Sequence, residues 1–326
     1  MRRATRRRIG RHVLAIGAAI LWSAGPLPAL VPDASADEIT YSCGIRDAAS
    51  QNNVFSYVSV YGINPYSDCG VTGLGAGATS QNTVPAGSAG GWRTIAPTGL
   101  TIVGANVPFP GLHVYGAAGT GYVAEFYWDT GAQRVNDGFQ QGYGWGGATS
   151  TCGFQLRCAG YSNTGVCRND SNVQVDDIAL QVHETQGPSL VAPDGLWQQS
   201  GWVRGSWPVH YYGDSPSGLC GLSASLAGLA IPGSTGSTVN PTVWHQCAAP
   251  AFDATVNTAQ YGQGGVPLVL SASDAAGVPA SATRTVLIDN SVPIVSISGS
   301  TDAPSTAGTQ YVTATASALS GVAGLS

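Results

Sequence analysis

Past residue 36 the chain shows no sustained 3.6-residue apolar period. Short stretches alternate residue by residue instead, punctuated by Gly, Pro, Asn and Ser. In residues 122–129, Tyr122, Ala124, Phe126 and Trp128 share one face, and Val123, Glu125, Tyr127 and Asp129 share the other. Phe154, Leu156 and Cys158 alternate with Gln155 and Arg157. Ile178, Leu180 and Val182 point one way, and Asp177, Ala179, Gln181 and His183 the other. Val173 and Val175 are out of phase with that last set, which predicts a bulge or turn at Asp176-Asp177. Short strands separated by turn signals predict an all-β protein built of β-sandwiches.

The first 36 residues read differently. Arg2, Arg3, Arg6, Arg7, Arg8 and Arg11 precede an apolar run over 13–22, and Ala34-Ser35-Ala36 is an A-x-A site. Residues 1–36 are therefore expected to be a secretory signal peptide, cleaved before Asp37. The apolar run is about half the roughly 20 residues that a bilayer span takes, and no later segment is longer, so no membrane span is expected. Export places seven cysteines where disulfides persist. Short loops close at least entropic cost, which favours Cys43–Cys69, Cys158–Cys167 and Cys220–Cys247 and leaves Cys152 over. Cys152, Cys158 and Cys167 lack zinc-type spacing and have no histidine between them. No metal and no cofactor is expected.

An internal repeat organises the rest. Gly205-Ser206-Trp207-Pro208-Val209 corresponds to Gly308-Thr309-Gln310-Tyr311-Val312, and Ser217-Gly218-Leu219 to Ser320-Gly321-Val322, both at an offset of 103 residues. Pro188 and Pro293 lie 105 apart. A period near 100 residues is that of an immunoglobulin-like (Ig-like) sandwich. The expected order is an N-terminal sandwich over 37–185, an Ig-like domain over 186–292, and the start of a second copy over 293–326. That second copy stops before it could close a core, so further chain is expected after Ser326.

Ser273-Asp274-Ala275-Ala276-Gly277, followed by residues 285–293 (TVLIDNSVP), resembles the closing strand and linker of bacterial Ig-like repeats. Asp214-Ser215-Pro216-Ser217-Gly218-Leu219 is similar to the turn such repeats carry after their second strand. Ala96-Pro97-Thr98-Gly99-Leu100-Thr101-Ile102 and residues 158–167 resemble the jelly-roll, lectin-like module that precedes these repeats in large secreted bacterial proteins. The resemblance implies an architecture; neither family has a fixed activity.

Composition narrows the chemistry. All 13 basic residues are arginine, which removes Schiff-base and P-loop lysines. From Asp37 onward 7 Arg face 17 Asp and Glu, so no nucleic-acid partner is expected. There is no G-x-S-x-G elbow, and His183-Glu184 lacks the second histidine of H-E-x-x-H. His113, His183, His210 and His245 read as strand or turn residues. Gly73-Leu74-Gly75-Ala76-Gly77-Ala78 fits G-x-G-x-x-A, but no helical pattern follows it, so it reads as a flexible loop. Glu125 and Asp129 share a strand face at about 13 Å, wider than the roughly 5–9 Å of glycosidase carboxylates. Both read as solvated, and the protein is expected not to be an enzyme; a glycoside hydrolase using Glu125 or Asp129 is the alternative. Calcium at Asp170, Asp176 and Asp177 lacks an EF-hand-type loop.

The candidate ligand site lies at 135–147. Glycine-rich sequence there carries Phe139, Tyr143 and Trp145 beside Asp137, Gln140 and Gln141. Aromatic faces with polar neighbours suit pyranose rings. Trp197, Trp202, Trp207 and Trp244 are expected to fill the Ig-like core. The function these features predict is a secreted or cell-surface adhesion protein that binds a polysaccharide or cell-surface glycan, with Ig-like modules as spacer. A purely structural envelope or stalk protein is the competing expectation.

Overall fold

The computed structural model describes residues 36–43, 52–69, 73–79, 83–116, 120–135, 138–160, 165–167, 170–298 and 312–321. The expected signal peptide, up to residue 35, and Asp137 lie outside them. The protein is all-β, and its strands bury two separate hydrophobic cores.

The first core lies between two antiparallel sheets. Its strands are β1 (Ala36–Ser42), β2 (Ser56–Val58), β3 (Ile63–Asp68), β4 (Gly73–Ala78), β5 (Val84–Pro85), β6 (Ala89–Ile95) and β7 (Leu100–Tyr115). They continue with β8 (Tyr122–Trp128), β9 (Gly131–Val135), β10 (Gly138–Thr149), β11 (Thr151–Cys158), β12 (Val166–Cys167), β13 (Ser171–Val175) and β14 (Ile178–Glu184). One sheet runs β1-β14-β7-β13-β4-β3, with β10 also on β7; the other runs β2-β6-β11-β8-β9. The alternating sets bury as the pleat requires: Ile178, Leu180 and Val182 from one sheet meet Ala124, Phe126, Phe154 and Leu156 from the other. Phe154 lies 5.9 Å from Phe126 and 6.5 Å from Phe55, ring centre to ring centre. The phase change after Val175 is a turn, in which the Asp176 amide donates to the Gly111 carbonyl at 2.7 Å. Cys43–Cys69 and Cys158–Cys167 are bonded within this sandwich, and Cys152 is free and buried.

The second core belongs to β15 (Ser189–Val191), β16 (Trp202–Val203), β17 (Ser206–Asp214), β18 (Gly218–Leu226), β19 (Leu229–Gly236), β20 (Cys247–Ala248), β21 (Phe252–Asn257), β22 (Gly264–Asp274) and β23 (Pro279–Ile288). A sheet β15-β17-β21 faces a sheet β16-β23-β22-β18-β19. β16 runs parallel to β23, the short β20 runs parallel to β18, and the other pairs are antiparallel. Tyr211 and Phe252 pack at 5.1 Å in its centre, and the Tyr211 hydroxyl donates to the Ser223 and Ser271 carbonyls of the facing sheet. Cys220–Cys247 ties β18 to β20.

The tryptophans divide differently from the expectation. Trp197 and Trp207 pack on this core, and Trp202 is exposed. Trp244 packs against the first core, because the segment between β19 and β20 reaches the N-terminal sandwich. Gln246 there donates to Thr40 at 3.0 Å, and Thr242 accepts from Asn53 at 3.2 Å.

Two further strands, β24 (Ile294–Ser298) and β25 (Thr313–Ser317), pair antiparallel. Their register reproduces that of β15 and β17. Ser189↔Asp214, Leu190↔Gly213 and Val191↔Tyr212 in the complete sandwich become Ile294↔Ser317, Val295↔Ala316 and Ser296↔Thr315, each strand shifted by its own repeat offset. The turn that follows repeats as well. Gly218 donates to the Ser215 carbonyl at 3.0 Å with φ +92°, and Gly321 donates to the Ala318 carbonyl at 3.1 Å with φ +86°.

Candidate functional site

On the outer face of the first sheet, β3, β4, β13 and β7 lie side by side. Register puts their outward residues in two rows: Tyr66, Gly75, Gln174 and His113, then Asn64, Gly77, Asn172 and Tyr115. β4 contributes no side chain to either row. A Cβ on Gly75 would fall 2.1 Å from Cζ of Tyr66, so the tyrosine ring lies across the bare strand. The segment 73–78, expected to be a flexible loop, is therefore a strand with Leu74, Ala76 and Ala78 in the core. Its alternate glycines are what let a ring lie flat on the sheet.

A chain of hydrogen bonds crosses these strands. Asn172 Nδ2 donates to the Tyr66 hydroxyl at 2.8 Å, Gln174 Nε2 donates to Asp176 Oδ1 at 2.8 Å, and His113 Nε2 lies 2.8 Å from Asp176 Oδ2. The His113 ring stacks parallel to Tyr115 at 6.3 Å, and Tyr115 is 40% exposed. Beside this network runs an open groove of about 520 Å³, lined by Asn64, Tyr66, Thr79, Tyr115, Asp170 and Asn172 among others. Burial is the main cause that pushes both tyrosine hydroxyls above their ordinary range; the charge of Asp176 adds to it, and for Tyr66 the Asn172 bond opposes it. Both phenols stay protonated at neutral pH and can donate. The groove thus offers two aromatic rings, amides and a carboxylate, within the size range of small-ligand sites.

The segment expected to be a glycine-rich aromatic loop is mostly strand. β10 pairs antiparallel with β7, its ladder interrupted by several register shifts. Trp145 stands opposite Ala105 and is half-buried, stacked on Trp128 at 5.2 Å and packed on the core. The backbone of Phe139, Gln140, Gln141 and Tyr143 belongs to β10, but their side chains, like Asp137, lie outside the described residues.

The acids expected to be solvated are engaged. Glu125 is buried and held by Arg157 through Nε at 2.8 Å and Nη2 at 2.5 Å, with Gln155 donating at 3.1 Å. Burial raises its pKa, but these bonds and the Arg157 charge outweigh it, leaving the carboxyl below its ordinary range. Outward-facing on a strand did not mean exposed here, because Gln155 lies directly across from Glu125 and Arg157 lies diagonally. Asp129 is exposed and accepts from the Ser150 hydroxyl and amide, chiefly the former, which brings it down to about 2. Among the described residues no group of three His, Cys, Asp or Glu is arranged to hold a metal, and no helix is long and apolar enough to cross a membrane.

No protein-family model matches the chain, and no curated protein sequence matches it. Solved structures similar to it include the adhesin domain of Epf from Streptococcus pyogenes, 10% identical over 78% of this chain and 98% of that one, with a TM-score of 0.29. The glycoside hydrolase domain of Endo-D from Streptococcus pneumoniae is 9% identical over 72% of this chain, with a TM-score of 0.21. A β-glucuronidase from Ruminococcus gnavus is 11% identical over 76% of this chain, with a TM-score of 0.18. This chain spans 37% of the Endo-D chain and 48% of the glucuronidase. Such distant likenesses assign no function, and the functional reading rests on the groove itself.

Proposed function

We propose that this is a secreted or cell-surface adhesion protein whose N-terminal sandwich binds a neutral glycan in the groove across β3, β4, β13 and β7. The observation that carries the reading is the pair of rings, Tyr66 and Tyr115, set beside Asn64, Asn172 and Asp170 on one open sheet face. Sugars present apolar faces to rings and hydroxyls to amides and carboxylates, and this surface supplies both. The arginine-rich, apolar leader ending in Ala34-Ser35-Ala36 and the three disulfides support export. The Ig-type sandwich and the hairpin that repeats its register act as spacer.

The test is glycan-array binding by the mature chain. Tyr66→Ala and Tyr115→Ala are each expected to weaken binding of the best array ligand about tenfold or more, roughly 1.4 kcal/mol. Tyr212→Ala, which changes an exposed tyrosine of the second sandwich, should bind as wild type. Binding lost with Trp145→Ala but retained in both groove variants would move the site to β10. Silence across the array would favour the stalk reading.

A further inference from the structure

Both junctions between modules place a carboxylate at the same point of the repeat. Glu184 ends β14, four residues before Pro188, and Asp289 follows β23, four residues before Pro293. The two acids are 105 residues apart, the offset that also separates the prolines. Glu184 is fully buried and Asp289 is 5% exposed. Each accepts a hydrogen bond from a turn of the next module, the one after β17 for Glu184 and the one after β25 for Asp289. Glu184 Oε1 accepts from the Ser215 hydroxyl at 2.7 Å, and Asp289 Oδ2 accepts from the Ser320 amide at 2.8 Å. Those turns, 215–218 and 318–321, are themselves 103 residues apart and close with the same bond.

We infer that Glu184 and Asp289 are one repeated device, a carboxylate latch that fixes each sandwich module to the turn of the module after it. A proline restricts its own φ and the residue before it, but the other linker residues stay free to rotate. A buried carboxylate bonded across the junction restrains that freedom, since opening the joint breaks the bond. At the first junction the Ser215 hydroxyl, with one proton to give, lies nearer Glu184 than Asp274 Oδ2, which is 3.3 Å away, and Pro216 sits so close to Gly99 that a Cβ there would lie 2.5 Å from the proline ring. The second is braced from its own side, where Asp289 also accepts from the Ser291 amide at 3.0 Å and from the Ser291 hydroxyl. The donors stand at different positions of the two turns, since Ser215 corresponds to Ala318 and Ser320 to Ser217; the first turn gives a hydroxyl and the second a main-chain amide. The inference is independent of whether the groove binds a glycan.

Hydrogen exchange and small-angle scattering on the mature chain test it. Asp289→Ala should speed amide exchange in 318–321 about tenfold while leaving β17, β18, β22 and β23 unchanged. Asp289→Asn, which keeps an acceptor, should restore part of the protection. At the first junction Ser215→Ala removes only the hydroxyl and leaves the Glu184 side chain in place. It should speed amide exchange in 215–218 with the scattering profile and circular dichroism spectrum unchanged, because Trp244, Gln246 and Thr242 still hold the N-terminal sandwich. Wild-type exchange in 318–321 for Asp289→Ala, or in 215–218 for Ser215→Ala, would overturn the repeated latch.

Discussion

Replacing Arg157 with methionine is expected to destabilise the N-terminal sandwich by about 3 kcal/mol or more, the range for removing one partner of a buried ion pair. The cause is the group left behind. Glu125 would stay buried, keeping the bond from Gln155 and a distant Arg134 at 4.0 Å that is itself mostly exposed. For a module of this size each kcal/mol moves the melting temperature by about 2–4 °C, so calorimetry should show a fall of roughly 6–12 °C. The double variant Glu125→Leu with Arg157→Met should recover most of the loss, because exchanging a buried pair for apolar groups is often near neutral. The pH dependence has a definite sign. Glu125 is held below its ordinary value, so its contribution is complete above about 4.5 and is lost as the pH falls through the lowered value. The deficit of Arg157→Met is therefore largest near neutrality and shrinks in acid, where Glu125 can protonate. A shift under 2 °C at pH 7 would show that the pair contributes little.

The same pair marks a limit of what the sequence could disclose. Alternation at 122–129, 154–158 and 178–183 was enough to place the core faces, because the pleat exposes and buries residues with a period of two. Alternation says nothing of what lies across the sheet, so Glu125 read as solvated until β11 was placed beside β8. Glycine misled in a related way. β4 and β10 read as loops because glycine weakens strands in isolation. β4 is held extended between β3 and β13, and β10 against the 16-residue β7. The groove had no local signature for the same reason. Its outward residues come from β3, β4, β7 and β13, which are widely spaced in sequence, and only register makes them two rows. One clue was present in the alternate glycines at 73, 75 and 77, which describe a strand face without side chains. The repeat was more legible, since offsets of 103 and 105 residues already contain the relative register of β24 and β25.

Gly218→Ala is expected to be the most damaging single-methyl change in the second sandwich, lowering its stability by about 3 kcal/mol or more. Two costs combine. At φ +92° a side chain sits in the left-handed region, a penalty of about 1–2 kcal/mol. The added Cβ would also lie 2.1 Å from the Cys247 carbonyl oxygen and 2.8 Å from the Cys247 nitrogen, both main-chain atoms of the β18–β20 pair. Cys247 cannot move away freely, because its sulfur is bonded to Cys220 on the same strand as Gly218. Gly321 supplies the control that separates the two costs. It occupies the equivalent turn with φ +86°, but among the described residues nothing lies within 4 Å of a Cβ built there. Gly321→Ala should therefore show only the conformational penalty, read as faster amide exchange confined to its own turn. Gly218→Ala should lower the melting temperature of the second sandwich by roughly 12 °C or more, at about 4–8 °C per kcal/mol for a module near 100 residues. A fall of only a few degrees would mean that the close approach to Cys247 relaxes at little cost and that the backbone angle alone explains the glycine.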